Sequence, residues 1–259
     1  MKRTLQIANI LGFILTLVIN YLSNALPING RTAGELSDLY PNLFVPAPFT
    51  FAIWGVIYLL LTGFVIYQAS DLFSSNKKGL PHVEKIGWLF FISCLLNAGW
   101  LLAWHYELLM VSFVIMLGYL TTLIRIYLRL GIGEGKAESW QQRFLVRLPF
   151  QVNLGWISIA TIANATALLV SFGFDKAGIA PHVWTIIMVS VGGLLALLMI
   201  YRKWDIAFPL VVVWAFYGII SERMEAMDEG FMGIVIAAVV CIALIVIGVL
   251  IRSVQLARR

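Results

Sequence analysis

Aromatic and asparagine side chains recur at helical spacing in three apolar segments of the chain. The first segment, PAPFTFAIWGVIY, enters through prolines and carries rings at offsets of three and seven residues, which lie on one face of an α-helix. Aromatic faces stack on flat ligands, and amide groups hydrogen-bond polar ligand atoms. We therefore predict one aromatic-walled pocket shared by three stripes: Phe51, Trp54 and Tyr58; Asn97, Trp100 and Trp104; and Asn153, Trp156, Ala160 and Asn164.

The composition places these stripes in a membrane. Of the 259 residues, 61% are hydrophobic and 12% are charged, and the mean hydropathy is +0.92. A soluble domain carries about 25% charged residues, and a membrane-spanning helix needs about 20 apolar ones. The apolar runs are too continuous for the alternating strands of a barrel. We predict an all-α polytopic membrane protein, with no role for nucleic acid because the basic residues are scattered among short loops.

Eight apolar segments are long enough to cross the bilayer. The first could also be a signal peptide, since Ser23 and Ala25 resemble a cleavage site, but its apolar run favours a retained helix. Segments three and four are separated by so few residues that they should form a helical hairpin. The segments are Thr4–Leu26, Pro48–Ala69, Ile86–His105, Leu108–Leu128, Phe144–Phe172, Val183–Tyr201, Ile206–Ile220 and Phe231–Ile251.

The distribution of basic residues predicts the topology. With eight crossings, fifteen of the 18 Lys and Arg residues fall on one side, and Arg31, Lys176 and Arg223 fall on the other. The positive-inside rule then places both termini in the cytoplasm, and we expect a bacterial cytoplasmic membrane. The longest outer loop, Pro27–Ala47, is a candidate lid, with a passive connector as the alternative.

Residue counting places the stripes at a similar depth. At about 1.5 Å per residue, Trp54 and Trp100 both lie six residues, or roughly 9 Å, from the outer ends of their helices. Asn164 also falls in the outer half of its segment. The polar and aromatic positions of the three helices therefore meet beneath the outer loop.

Two other interpretations remain open. Trp88, Trp104, Trp184 and Trp204 lie near helix ends, where tryptophans form interfacial belts. Each asparagine could also serve only as a hydrogen bond between helices, worth about 1 kcal/mol. No acidic or basic side chain lies in mid-span, which counts against ion-coupled transport. The histidines are unclustered, and we predict no metal site.

The motifs of the first five segments resemble the tryptophan-rich sensory protein family, which includes the mitochondrial translocator (peripheral benzodiazepine receptor) proteins. The entry to the second helix fits at Pro46, Pro48, Trp54 and Tyr58. The third helix fits L-N-x-x-W at Leu96, Asn97 and Trp100, followed by Trp104. The fifth fits W-x-x-x-A-T-x-x-N at Trp156, Ala160, Thr161 and Asn164. The entry departs from the family because Pro48 replaces a tryptophan and Phe51 is shifted by one position.

The resemblance implies a five-helix bundle at residues 1–172 with a pocket for planar hydrophobic ligands such as porphyrins. The three additional helices predicted at 173–259 lie outside the resemblance. It implies no covalent cofactor, a porphyrin or haem as ligand, contact with membrane lipid and a homodimer as an expected assembly. The ligand-binding positions carried over are Trp54, Tyr58, Asn97, Trp100, Trp104, Trp156, Ala160 and Asn164.

Several functions are compatible with these features. The favoured one is a non-enzymatic receptor, sensor or carrier for a tetrapyrrole. A permease for small hydrophobic metabolites is the alternative, with the last three helices completing a pathway. An enzyme acting on the bound ligand lacks visible proton-transfer groups, and a structural role remains open.

Overall fold

The computed structural model describes residues 2–26, 28–72, 80–134, 139–174, 176–227 and 230–257. Within these ranges the chain is helical and has no strand. Pro27 of the candidate lid and five basic residues of the topology count (Lys77, Lys78, Lys136, Arg258 and Arg259) lie outside them. The α-helices are α1 Lys2–Ala25, α2 Ala33–Asp38, α3 Ile53–Ala69, α4 Pro81–Ile86, α5 Leu89–His105, α6 Leu109–Arg129, α7 Leu148–Ser171, α8 Pro181–Lys203, α9 Ala207–Ala226 and α10 Phe231–Ala257.

The helices have the lengths that a membrane requires. In the described part of the chain, seven are long and apolar enough to span a bilayer, counting the 3₁₀ turn Pro48–Ala52 with α3 and the π turn Gln142–Arg147 with α7. The one remaining predicted segment, the third, corresponds to α5, whose 17 residues match the lower limit for a span. The predicted all-α polytopic membrane class is confirmed.

Several boundaries differ from the prediction by one to six residues, among them those of segments three, seven and eight. Segment three was expected to begin at Ile86, but α4 ends there, Gly87 takes a positive φ of 59°, and α5 begins at Leu89. Segment seven extends beyond Ile220 to Ala226, because its polar last turn remains helical. The predicted α5–α6 hairpin is present, and Glu107 at φ 55° makes its tight turn.

The chain divides into two compact units, each with its own packing. Unit 1 comprises the residues up to Leu36 and Ile53–Leu154, and unit 2 comprises Ser37–Ala52 and the residues from Gly155 onward. The division falls within α7, whereas the predicted boundary follows residue 172. The separation into a five-helix bundle and three additional helices therefore stays a prediction.

Unit 1 is built around the packing of α5 against α1 and α6. Gly12 allows α1 to approach α5 closely, because a Cβ atom there would lie 2.7 Å from the Phe91 ring. The core contains the rings of Phe64, Phe90 and Phe150, and the centroid of Phe64 is 5.0 Å from each of the other two. These contacts fix α3 and α5 relative to each other.

Unit 2 is built around α8, α9 and α10, which pack on one another. Small residues again allow close approach: a Cβ atom on Gly193 would lie 2.7 Å from Cys241 Sγ of α10. The 3₁₀ turn Pro48–Ala52 packs against α9. The end of the candidate lid is thus held by one of the three C-terminal helices.

Candidate ligand-binding site

An aromatic stack joins α3 to α5 in unit 1. The Trp54 ring stacks on Tyr58, one helical turn along α3, with centroids 5.5 Å apart and planes at 19°. It also stacks on Trp100 of α5 at 6.0 Å and 28°. Offset stacking of this kind is favourable for aromatic pairs. The expectation that Trp54 and Trp100 lie at the same level is confirmed by this contact.

Phe51 lies just before the α-helix that carries Trp54 and Tyr58. Residues 48–52 form a 3₁₀ turn, in which side chains three residues apart lie one above the other. Phe51 belongs to unit 2, where its ring meets Trp156 edge-on at 6.1 Å and 89°. That Phe51 shares one face with Trp54 and Tyr58 stays a prediction.

Trp104 lies one turn beyond Trp100 on α5 and is 7% exposed. A tryptophan of an interfacial belt would face lipid. The burial of Trp104 therefore favours a place within the bundle, whereas Trp88 is 49% exposed.

Three polar atoms of this region are buried without a hydrogen-bond partner among the described residues. They are the Tyr58 hydroxyl, the Asn97 amide nitrogen Nδ2 and the Trp100 indole nitrogen Nε1. Asn97 is 1% exposed, and its Oδ1 accepts a hydrogen bond of 2.9 Å from Asn20 Nδ2 of α1. A buried polar atom without a partner costs about 1–3 kcal/mol. A ligand that pairs with these atoms would recover that cost.

A second buried pair borders Asn97. The Tyr119 hydroxyl on α6 and the Asn153 amide on α7 hydrogen-bond each other, with Nδ2 of Asn153 3.0 Å and its Oδ1 3.2 Å from the hydroxyl. Asn97 lies near both the Tyr58 and Tyr119 hydroxyls, but outside hydrogen-bond geometry. Asn153 is thus satisfied by Tyr119, so it serves as a connection between helices.

Three predicted site residues lie on α7 within unit 2. Trp156 is 3% exposed and Asn164 is 4% exposed, while Ala160 is half-buried. Thr161 of the same motif donates its hydroxyl to the Ile157 carbonyl at 2.6 Å, so its side chain serves the helix. That these α7 residues share one pocket with the α3 and α5 residues stays a prediction.

Two residues of the unit 1 cluster, Asn20 and Tyr119, were missed from the sequence. Asn20 belongs to a polar stripe on α1, with Asn9, Thr16 and Ser23 at helical spacing, and this stripe faces its neighbours in unit 1. That periodicity was available in the sequence. Tyr119 is a single tyrosine in an apolar segment and carries no comparable signal.

His105, the last residue of α5, has one ring nitrogen that could bind a metal. His105 is buried, and its Nδ1 lies 2.7 Å from the Leu101 carbonyl, which can only accept, so Nδ1 carries the proton. The remaining nitrogen, Nε2, has no partner among the described residues. One nitrogen falls short of the ligand set of a structural metal site. We therefore assign no metal to it.

The other end of unit 1 contains a charged cluster outside the spans. Asp71 Oδ2 lies 2.6 Å from Lys2 Nζ, and its Oδ1 accepts a 2.8 Å hydrogen bond from Gln6. Burial alone would raise the pKa of Asp71, but the hydrogen bonds from Lys2 and Gln6 outweigh it and hold the pKa below its ordinary value. Burial lowers the pKa of nearby His82 to about 4, assisted by the Lys2 charge. His82 stacks on Tyr67 at 5.4 Å.

The side chains of the unit 1 cluster are mainly aromatic rings, amides and phenols. Such groups hold a ligand by stacking and hydrogen bonding. The helices and this cluster together define a polytopic all-α membrane protein with an aromatic candidate site.

Comparison with known proteins identifies the family. The family model for TSPO-like proteins matches residues 6–251. The chain therefore belongs to the TSPO-like protein family. The match continues through α8, α9 and most of α10, so the last three helices belong to the matched region, although the motif comparison had left them outside. No curated protein sequence and no solved structure matches the chain significantly.

Proposed function

We propose that this protein is an integral membrane receptor or carrier for a planar hydrophobic ligand, specifically a tetrapyrrole such as a porphyrin or haem. The observation that carries the proposal is the stack of Tyr58, Trp54 and Trp100 beside three buried polar atoms that lack partners in the described part of the chain. Membership of the TSPO-like family supports a ligand-binding or sensing role in a membrane.

The hydrogen-bonding groups of the site limit which chemical groups the ligand can present to it. Asn97 Nδ2 and Trp100 Nε1 are hydrogen-bond donors, and the Tyr58 hydroxyl can also donate. We expect the ligand to present acceptors at its edge, such as carboxyl oxygens, and a flat apolar face to the rings. The ligand is held without a covalent bond, and the proposal includes no enzymatic step.

Titration with protoporphyrin tests this proposal. Removal of one aromatic face, as in Trp54→Leu or Trp100→Leu, should weaken binding about 2- to 10-fold, since an aromatic pair contributes about 0.5–1.5 kcal/mol beyond burial. Trp88→Leu is the matched control, because Trp88 is 49% exposed at the start of α5. Equal affinities for all three variants and the wild type would refute the site.

Uptake into sealed vesicles separates a receptor from a carrier. A receptor binds porphyrin up to one equivalent per site and then saturates, whereas a carrier accumulates porphyrin in the lumen beyond that amount. Transport of small hydrophobic metabolites without porphyrin binding would favour the permease. We expect the Trp54→Leu variant to weaken binding and any uptake in parallel.

A further inference from the structure

Asn20 of α1 reaches the aromatic cluster of unit 1 through Asn97. Its amide nitrogen Nδ2 lies 2.9 Å from the Thr16 carbonyl of its own helix and 2.9 Å from Asn97 Oδ1 on α5. All three residues belong to unit 1. A side-chain amide nitrogen carries two N–H groups, so the same atom serves both acceptors. Asn20 therefore uses one donor on α1 and the other on Asn97.

These two contacts fix which way each amide faces. The oxygen and the nitrogen of a side-chain amide are told apart by their hydrogen bonds. The Thr16 carbonyl can only accept, so the Asn20 atom beside it is the nitrogen. That nitrogen can only donate, so the Asn97 atom that it meets is the oxygen. The Asn97 nitrogen is thereby directed away from Asn20.

The orientation of Asn97 matters because its nitrogen is buried. Asn97 is 1% exposed, and Nδ2 has no hydrogen-bond partner among the described residues. Trp100 lies one helical turn further along α5, and its indole Nε1 is a second such donor. A buried donor gains from an acceptor and is penalised by another donor. Rotation of the Asn97 amide by half a turn would replace this donor by an acceptor and reverse that preference.

The neighbouring hydroxyl groups do not fix Asn97 in this way. The Tyr119 hydroxyl is paired with Asn153, whose Nδ2 and Oδ1 lie 3.0 and 3.2 Å from it. The Tyr58 hydroxyl has no partner within the described ranges. A hydroxyl can donate or accept, so it does not distinguish the two orientations of an amide. Asn20 supplies the directional hydrogen bond.

We propose that Asn20 is a specificity-determining residue of the unit 1 site. By holding Asn97 with its donor toward the ligand, it selects flat apolar molecules that carry a carbonyl or carboxyl oxygen at their edge. The inference rests on the proposed function in one respect, namely that a ligand stacks on Trp54 and Trp100. It names the chemistry of the ligand's edge and does not require a tetrapyrrole.

Paired ligands with and without an oxygen acceptor test this inference in detergent-solubilised full-length protein. Protoporphyrin dimethyl ester carries uncharged carbonyl acceptors, and octaethylporphyrin has the same macrocycle without them. Quenching of tryptophan fluorescence gives both dissociation constants, and their ratio measures the preference for an acceptor. Each variant's ratio is divided by the wild-type ratio, so that unequal partitioning of the two ligands into detergent cancels. We expect Asn20→Leu to lower the preference about 2- to 10-fold, as the loss of one hydrogen bond implies, and mainly by weakening the ester.

Thr16→Val is the matched control. The Thr16 hydroxyl lies 3.2 Å from the Cys94 carbonyl of α5, so this variant also loses a polar contact between α1 and α5 but keeps the bond from Asn20 to Asn97. It should retain the wild-type preference whatever it does to stability. Asn20→Ala should repeat the result of Asn20→Leu with a smaller side chain. A wild-type preference in either folded Asn20 variant would overturn the inference, as would an equal loss in Thr16→Val.

Anthraquinone and anthracene separate this inference from the proposed function. They are flat three-ring molecules that differ by two carbonyl oxygens, and neither is a tetrapyrrole. If no porphyrin binds but Asn20→Leu lowers the preference for anthraquinone over anthracene, the tetrapyrrole function fails and the inference stands. If the porphyrins bind with the same preference in the wild type and in Asn20→Leu, the inference fails and the function stands. If neither pair shows a preference that depends on Asn20, the inference fails.

Discussion

The contact between α9 and the 3₁₀ turn makes a strong prediction for Gly218→Ala. A Cβ atom on Gly218 would lie 2.0 Å from Thr50 Oγ1 and 3.0 Å from both the Thr50 and Pro46 Cβ atoms. Rotation of the hydroxyl alone cannot relieve this overlap, because the Thr50 Cβ atom is itself too close and β-branched side chains have few rotamers. Overpacking of this kind costs about 1–3 kcal/mol. Gly218→Ala should therefore destabilise the protein by about 2 kcal/mol.

Thr50→Ala supplies the matched partner for a double-mutant cycle. The Thr50 hydroxyl is buried and makes no hydrogen bond within the described residues, so its removal alone should cost little. In the Thr50→Ala background the worst overlap is gone, while the 3.0 Å contacts remain. We expect the cost of Gly218→Ala to fall by at least about 1 kcal/mol.

The free energy of unfolding can be measured by titrating dodecyl sulfate into detergent-solubilised protein. A wild-type value for Gly218→Ala would refute the close contact between α9 and the turn. So would an unchanged cost of Gly218→Ala in the Thr50→Ala background, since the overlap is with that side chain.

Three further changes test other parts of the structure. The pKa of Asp71 is lower in the folded protein than in the unfolded chain, so the ionised carboxylate stabilises the fold. This stabilisation is complete above the unfolded pKa of about 4 and disappears as the pH falls through the folded pKa. Asp71→Asn should therefore lower the free energy of unfolding at pH 7, and that energy should fall less steeply with acid than in the wild type. His82 has a pKa of about 4 in the folded protein and of about 6.5 when unfolded. The free energy of unfolding should therefore fall as the pH is lowered from about 6.5 to about 4. His82→Phe keeps an aromatic ring on Tyr67 and should remove that part of the decline in the same pH titration. Asn20→Leu removes the hydrogen bond to Asn97 Oδ1. It should lower the free energy of unfolding in dodecyl sulfate by about 0.6 kcal/mol, the average for interhelical hydrogen bonds. An unchanged free energy of unfolding would show that Asn20 does not hold Asn97.

Much of the fold could be predicted because bilayer length and hydropathy fix the helices almost without regard to tertiary contacts. All eight segments are helical, and Pro48–Ala69 agrees with its predicted bounds. Boundaries failed where a local conformation decided them, as at Gly87, whose positive φ separates α4 from α5. Hydropathy contains no information on such a turn.

The site was harder to predict because helical periodicity shows which residues share a helix face but not which other helix that face contacts. Trp54 and Trp100 could be placed at one level by counting residues, and their rings do stack. The sequence predicts an α-helix that begins before Phe51, whereas a 3₁₀ turn occupies that position. The cavity between the loop 37–45 and the ends of α7, α8 and α9 could not be predicted from the sequence, since it depends on how a loop and three helix ends pack. Side-chain pairing of this kind follows from tertiary structure.

A crystal structure of the protein with protoporphyrin bound would test the proposed site most directly. We expect the macrocycle in van der Waals contact, at about 4 Å, with the rings of Trp54 and Trp100. We also expect a ligand acceptor about 2.7–3.2 Å from Asn97 Nδ2 or Trp100 Nε1. Porphyrin bound elsewhere, with these two nitrogens making no contact to it, would contradict the claim.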